Sequence, residues 1–310
     1  MIIQITEPID YSPKALAIYR SLGRVVFDSK PRRDADVLAI GLKYRIDKKW
    51  LDAMPKLKVV GWQGTGLNHI DVKELKKRGV KLISLRGRKD FLKNIPSTAE
   101  ETIALILALV RNIPWAFDAT KKGSWDRVPW RGSQLYQKTL GLIGFGRLGR
   151  IMARYARAFG MNAIAYDPFV SESMMKRFGA AKTDLDKLLK KSDIVSLHAL
   201  LTEGNHGLLR ERHFRLMKPT AVLVNTARGE LIAKGALEKA LKNKWIGGAA
   251  LDVLWDERSD GSHLKNNVLL EYAKKNNNLI IVPHIGGATF EAMAATQDYI
   301  AELIKKYFKK

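Results

Sequence analysis

Five polar residues stand just beyond short apolar runs of the kind that form buried parallel strands. Asp167 follows residues 163–166, His198 follows 194–197, Arg228 comes shortly after 221–225, Asp252 follows 247–251 and His284 comes shortly after 279–282. In an open α/β sheet, ligands bind outside the carboxyl ends of the strands. One crevice should therefore gather two imidazoles, a guanidinium and two carboxylates. Histidine, with a reference pKa of about 6.5, can give or take a proton near neutrality. Arginine can clamp a carboxylate through two parallel hydrogen bonds and polarise a carbonyl beside it. Such a set suits a reaction in which an alcohol carbon loses a hydride while its hydroxyl loses a proton, or the reverse.

His284 is the candidate acid–base. Pro283 stiffens its backbone, and Gly286 and Gly287 allow close approach. The competing reading is a structural histidine that donates to a backbone carbonyl. His198, with Ala199 beside it, is the rival; because its strand follows the adenine half of the fold, it is assigned to cofactor contact. His69 is a third candidate, while His206, His213 and His263 read as loop or surface residues. Glu257 lies between Arg228 and His284 in the chain. A carboxylate on the second ring nitrogen would orient the imidazole and favour its protonated form. The alternative is a solvated charge run over residues 256–258. For Arg228 the alternative is a salt bridge to Glu230 or Asp252. Asp252 could accept from a nicotinamide carboxamide, and Thr226 and Ala227 share its end of the sheet.

The stretch that must position these groups is 139–167. Residues 140–143 read as a strand, and Gly144, Gly146 and Gly149 follow at G-x-G-x-x-G spacing. Residues 150–159 have helical periodicity, 163–166 read as the next strand, and Asp167 ends it. Gly144 permits the tight turn, Gly146 lets a pyrophosphate approach the backbone, and Gly149 lets the helix pack on the strand. The helix start offers free N–H groups to the phosphates. Asp167 can accept from both ribose hydroxyls and would repel a 2′-phosphate. No arginine follows in 168–174, so the reading is NAD rather than NADP.

The 310 residues suggest two domains. No cysteine is present, which excludes disulfides, thiolate metal sites and cysteine nucleophiles, and no metal site is expected. The amino terminus lacks the basic region of a signal peptide, and the strongly apolar stretch 103–110 is far short of a membrane span. A cytoplasmic protein with no membrane partner is the expectation. The formal charge of +23 admits a nucleic-acid or anionic-surface binder. There is no recognition motif and no long basic block, so a solvated lysine-rich surface is favoured and nucleic acid is not expected as a partner.

Residues 2–6, 24–27, 37–41, 58–62 and 81–85 read as strands alternating with helical patterns at 13–22, 48–54 and 72–78. That alternation predicts a parallel sheet with right-handed crossovers. The loop 63–71 closes the fourth strand. Its amides, around Thr65 and Gly66, could hold a carboxylate, or it is a turn that caps the next helix through Asp71. Residues 97–111 form a buried apolar helix, with Ser97…Glu100 and Thr98…Glu101 at capping-box spacing. Residues 115–132 read as a polar connection, 256–267 as a charged loop and 288–308 as a final amphipathic helix. The fold expected is two doubly wound parallel α/β domains: a Rossmann nucleotide domain, residues 97–287, inserted into a flavodoxin-like substrate domain made of 1–96 plus 288–310.

At these residues the sequence resembles the D-isomer-specific 2-hydroxyacid dehydrogenase family. The likeness runs through Gly64-Thr65-Gly66, Gly132-Ser133-Gln134-Leu135 and Gly144-Phe145-Gly146-Arg147-Leu148-Gly149. It continues in Met217-Lys218-Pro219, Asn225-Thr226-Ala227-Arg228-Gly229, Leu251-Asp252-Val253 and Pro283-His284-Ile285-Gly286-Gly287. The resemblance implies that Arg228 binds the substrate carboxylate, that Glu257 pairs with His284, and that His284 is the proton donor to the keto oxygen. It implies cofactor contacts at Arg147, Leu148, Asp167, Thr226, Asp252 and Gly286, a small anionic 2-keto or 2-hydroxy acid as substrate, and a homodimer built on the nucleotide domain. Departures occur at Leu67-Asn68-His69, at Leu200, at Ile232-Ala233 and in the basic segment 86–94. The family's relatives include an NADH-sensing corepressor. Retention of Arg228, Glu257 and His284 argues against that reading here.

Overall fold

A computed structural model describes residues 1–8, 11–258 and 260–309. Ile9 and Asp10 in the expected first domain, Ser259 in the expected charged loop, and the terminal Lys310 lie outside the described residues. The chain forms two compact units. The first comprises 1–95, 258–260 and 287–310; the second comprises 96–257 and 261–286.

The first unit opens with β1 (Ile2–Ile5), α1 (Pro13–Leu22), β2 (Arg24–Phe27), β3 (Val37–Ile40) and α2 (Lys48–Asp52). It continues with β4 (Val59–Trp62), α3 (Val72–Lys77), β5 (Lys81–Ser84) and α4 (Lys89–Leu92). The second contains α5 (Ser97–Val110), α6 (Ile113–Lys121), β6 (Thr139–Ile143), α7 (Arg147–Ala158), β7 (Asn162–Tyr166) and α8 (Glu172–Arg177). After these come β8 (Ala180–Lys182), α9 (Leu185–Lys191), β9 (Ile194–Leu197), α10 (Glu211–Phe214) and β10 (Val222–Asn225). It closes with α11 (Ala236–Lys242), β11 (Gly248–Leu251), α12 (Val268–Ala273) and β12 (Leu279–Ile281), and α13 (Phe290–Phe308) returns to the first unit.

Each unit holds one fully parallel sheet, in the order β2-β1-β3-β4-β5 and β12-β11-β10-β9-β6-β7-β8. Both faces are covered, so the strands read as continuous apolar runs rather than alternations. In β3, Val37 and Ala39 enter one core with α1 and α13, while Leu38 and Ile40 enter the other. In the larger sheet, Leu140, Val222, Val224 and Ala250 face one core, and Ile143, Val195, Leu223 and Leu251 face the other. Burying one such aliphatic side chain contributes roughly 1.5–3 kcal/mol.

Two expectations are corrected. Neither capping box forms: α5 starts at Ser97 with Pro96 at its cap position and no side-chain cap bond. Pro96 has no N–H to satisfy, and Thr102 Oγ1 donates back to Thr98 O at 2.7 Å. The segment after α5 is not wholly a connection, because α6 occupies its first part behind Asn112 in the left-handed region (φ 56°). No residue of α6 is fully buried and Trp115 alone of its large side chains packs on the core, so the periodic core signal in its sequence is weak. Strand β8 has only three residues, at the sheet edge, and was not anticipated. Among the described residues no single helix is long and apolar enough to cross a membrane.

Candidate active site

The second unit's site begins where β6 turns into α7. Gly144 has φ +94°, and a Cβ there would lie 2.5 Å from Ala199 N and 2.6 Å from His198 C. Only glycine fits, because the obstruction is backbone. A Cβ on Gly149 would strike the Gly144 carbonyl, whereas Gly146 has open space around it. Helix α7 starts at Arg147 with no side-chain hydrogen bond from its cap residue, Gly146, and a helix start of this kind can receive an anion. Leu148 follows in the first turn. Burial pushes the Arg147 guanidinium pKa downward. Asp167, at the end of β7, accepts from Phe145 N at 2.8 Å and from Phe169 N at 2.9 Å. The acid is thus fixed beside the glycine turn, with lone pairs left for a ribose.

At the end of β9, His198 Nε2 lies 2.8 Å from Ser196 Oγ, and its Nδ1 is buried without a hydrogen-bond partner. Burial lowers its pKa to about 4, so the ring is neutral at pH 7. After β10, Asn225 shapes the turn: its Oδ1 accepts from Ala227 N at 3.0 Å and its Nδ2 donates to Arg228 O at 2.8 Å. Thr226 Oγ1 sits 2.9 Å from Thr102 Oγ1 on α5. Arg228 Nη1 donates to Ala227 O at 2.6 Å, and no salt bridge to Glu230 or Asp252 forms among the described residues.

The chemistry-bearing side chains meet after β11 and β12. Glu257 Oε2 lies 2.5 Å from His284 Nδ1, and Glu257 Oε1 accepts from Leu254 N at 2.7 Å. Burial raises the Glu257 pKa. The His284 hydrogen bond and charge, the Leu254 amide and the Arg228 charge outweigh it, so the carboxyl sits below its ordinary value. His284 has φ 56°, a left-handed backbone that a histidine adopts only when its surroundings hold it there. They do: Asp252 Oδ1 accepts from Ile285 N at 2.6 Å and Oδ2 from Gly286 N at 3.1 Å. Asp252 is only 2% exposed, and Gly286 is buried while Gly287 is exposed.

A family model described as "D-isomer specific 2-hydroxyacid dehydrogenase, NAD binding domain" matches residues 103–286. The chain belongs to the D-isomer-specific 2-hydroxyacid dehydrogenase family. Within this family it is similar to D-3-phosphoglycerate dehydrogenase of Methanocaldococcus jannaschii, 38% identical over 278 residues, 89% of this chain and 50% of that protein. It is 36% identical over 281 residues to glyoxylate reductase of Thermococcus litoralis, covering 88% of this chain and 80% of the relative. The chain thus spans about half the length of the first relative and about four fifths of the second. Among solved structures, D-lactate dehydrogenase from Aquifex aeolicus complexed with NAD and lactic acid superposes with a TM-score of 0.85 at 28% identity. That match covers 100% of this chain and 96% of the other.

Of the residues singled out in this dehydrogenase-family sequence, Arg228, Glu257, His284, Asp252 and the glycine turn all belong to the second unit. Thr65 and Gly66 belong to the first, after β4. There Trp62 Nε1 donates to Gly66 O at 2.7 Å, Asp71 accepts from Glu74 N at 2.9 Å to cap α3, and the Trp62 and His69 rings pack edge to face at 4.5 Å. His213 is corrected: it is 4% exposed, inside α10's turn, with Nδ1 accepting from Arg210 N at 2.9 Å. Sequence reasoning gave His213 no core position because α10 is only four residues long. Glu101 was missed as a site residue. Both of its carboxylate oxygens are buried at the Asp252 end of α5 without a hydrogen-bond partner. Its signal was an acid inside an apolar helix, which the capping-box spacing explained away.

Proposed function

We propose that the protein is an NAD-dependent D-2-hydroxyacid dehydrogenase that interconverts a small anionic 2-hydroxy acid and its 2-keto acid. The observation that carries this reading is the 2.5 Å contact between Glu257 Oε2 and His284 Nδ1 in the unit that also holds the glycine turn. The residues present fit a dinucleotide. Gly144 and Gly149 are required by close backbone, Gly146 is open, α7 starts with no side-chain hydrogen bond from its cap residue, and Asp167 stands ready for a ribose. Arg147, Leu148, His198, Ala199, Thr226, Ala227, Asp252, Gly286 and Gly287 are proposed to complete that site. The acid at 167 favours NAD over its 2′-phosphorylated form. When bound, the nicotinamide supplies or accepts the hydride.

His284 holds the proton. With Nδ1–H directed to Glu257, the second ring nitrogen is left to exchange a proton with the substrate oxygen. In reduction the carbonyl carbon gains a hydride, its oxygen takes the His284 proton, and the product is the 2-hydroxy acid. Glu257 fixes the ring's orientation, so that its second nitrogen is the one turned to the substrate oxygen. Arg228 clamps the substrate carboxylate and polarises its neighbouring carbonyl. Thr65 and Gly66 are proposed as further carboxylate-binding amides. His198 takes no part as an acid, since its buried ring is neutral throughout the working range.

A homodimer and a cytoplasmic location are proposed with this function. Support for the dimer comes from the apolar surface around α6, where Phe117 is 62% and Trp125 92% exposed. Sedimentation equilibrium of wild type and Phe117→Glu tests it; a monomeric wild type overturns the dimer. A spectrophotometric panel of 2-keto acids with NADH tests the activity. Turnover of at least one 2-keto acid, lost in His284→Ala, is expected; absence of turnover across the panel despite tight NADH binding would favour a dinucleotide sensor instead.

A further inference from the structure

Glu101 is a half-buried acid whose carboxylate oxygens are shielded from solvent, and the proposed mechanism gives it no task. It projects from α5, and neither of its carboxylate oxygens meets a protein donor. It faces the carboxylate of Asp252, whose two oxygens already take the Ile285 and Gly286 amides. Gly286 sits against both acids: a Cβ there would strike Glu101 Oε2 and lie 3.0 Å from Asp252 Oδ2. Two carboxylates this close, one of them without a donor, cannot both stay charged. One proton between them resolves the conflict, because the protonated acid becomes a donor to the other.

We propose that Glu101 and Asp252 share a single proton as a carboxyl dyad beside the nicotinamide end of the cofactor site, linking that proton to the redox state of the bound cofactor. This rests on the proposed function. A hydride donor must reach the same substrate carbon whose oxygen meets His284, and Asp252 is bonded to the residue next to His284. The nicotinamide ring is positively charged when oxidised and neutral when reduced. A doubly charged dyad therefore favours NAD⁺, and a singly charged one suits NADH. Burial first, and then the Asp252 charge, raise the Glu101 pKa to about 8. Asp252 is raised as well, chiefly by burial, with the Ile285 amide and the His284 charge opposing. The strands β10, β11 and β12 against α5 carry no charged residue. On α7, Tyr155 feels the charges of Glu100 and Arg154. Asp118 of α6 is paired with Lys121. Arg228 and His284 act on Glu257.

The test is the pH dependence of NAD⁺ and NADH binding without substrate, read by tryptophan fluorescence, for wild type, Glu101→Gln and His284→Gln. Wild-type NAD⁺ affinity should fall below about pH 8, by at most about tenfold per pH unit, the limit for one linked proton. NADH affinity should stay level. Glu101→Gln, whose amide can still donate to Asp252, should lose that slope, while His284→Gln should keep it. Independently of any variant, mixing wild type with NAD⁺ in weak buffer near neutral pH should release protons, and mixing with NADH should release none. Equal slopes in wild type and Glu101→Gln, or no proton release with NAD⁺, overturn the dyad. Failure of wild type to bind either dinucleotide would instead sink the proposed function.

Discussion

At the carboxyl end of β4 in the five-stranded sheet, the loop over residues 64–71 is tied down by its own groups. Trp62 donates to Gly66, Leu85 N donates to Gly64 O at 3.1 Å, and Asp71 caps α3. At the carboxyl ends of β9 to β12 in the seven-stranded sheet the opposite holds. There the chain keeps a histidine in left-handed backbone, an imidazole with an unpartnered buried nitrogen, and an acid with no donor. The two sheets share an architecture, right down to parallel strands covered on both faces. What separates them is the price accepted at the strand ends, and strain of this kind gathers where chemistry is done.

The comparison can be broken or sharpened by substitution. The largest effect is expected at His284→Ala: a fall in turnover of about a thousandfold or more, within the range for removing an acid–base group, with NADH affinity nearly unchanged. Normal turnover would remove His284 from the mechanism. Gly144→Ala forces a Cβ onto backbone at φ +94° and should cost the protein about 3 kcal/mol together with dinucleotide binding. Its counterpart in the first unit, Gly87→Ala, has positive φ but open space and should cost about 1 kcal/mol. Equal costs in denaturant melts would erase the contrast between the sheets.

Acid should act on the second unit through His198. Its pKa lies below that of the unfolded chain, so its contribution is present above about pH 6.5 and is lost as pH falls toward about 4. The loss is at most about 3 kcal/mol, and His198→Gln should flatten it in pH-dependent melts. A variant as acid-sensitive as wild type would show that the buried ring is not responsible. Asp167→Ala should weaken NAD roughly tenfold and narrow its advantage over NADP; unchanged discrimination would defeat the reading of that acid. Smallest is Asp71→Ala, a lost helix cap worth about 1 kcal/mol in the first unit with NAD affinity untouched.

The sheets were legible because parallel strands buried on both faces must be apolar throughout: β2, β9 and α1 occur at the expected bounds. The dinucleotide turn was legible in the glycine spacing and Asp167, the parallel sheets in the alternation of strand and helix, and the family in motifs running from Gly64-Thr65-Gly66 to Pro283-His284-Ile285-Gly286-Gly287. What stayed hidden depends on contacts that sequence cannot show. Asn112 starts α6 in left-handed backbone, and of the large side chains of α6 only Trp115 packs on the core, too little to print a strong period. Ser97 and Glu100 have the spacing of a cap, but Pro96 occupies the cap position. Glu101 matters only because a strand far along the chain delivers Asp252 to it, and no local pattern encodes that meeting.

Helix α13 has a consequence for how the protein is made. Ile300, Ala301 and Ile304 lie on the first sheet, Ile304 packed directly over Gly61, and Gln297 accepts from Ser12 N at 2.7 Å across 285 positions of sequence. Ribosomes deliver roughly 5–20 residues per second. Strands β1 to β5 therefore emerge many seconds before the helix that covers them, while the nucleotide-binding unit can finish in between. During synthesis the sheet of β1 to β5 matures after the unit that follows it in sequence, and it is there that a nascent-chain chaperone has most to protect.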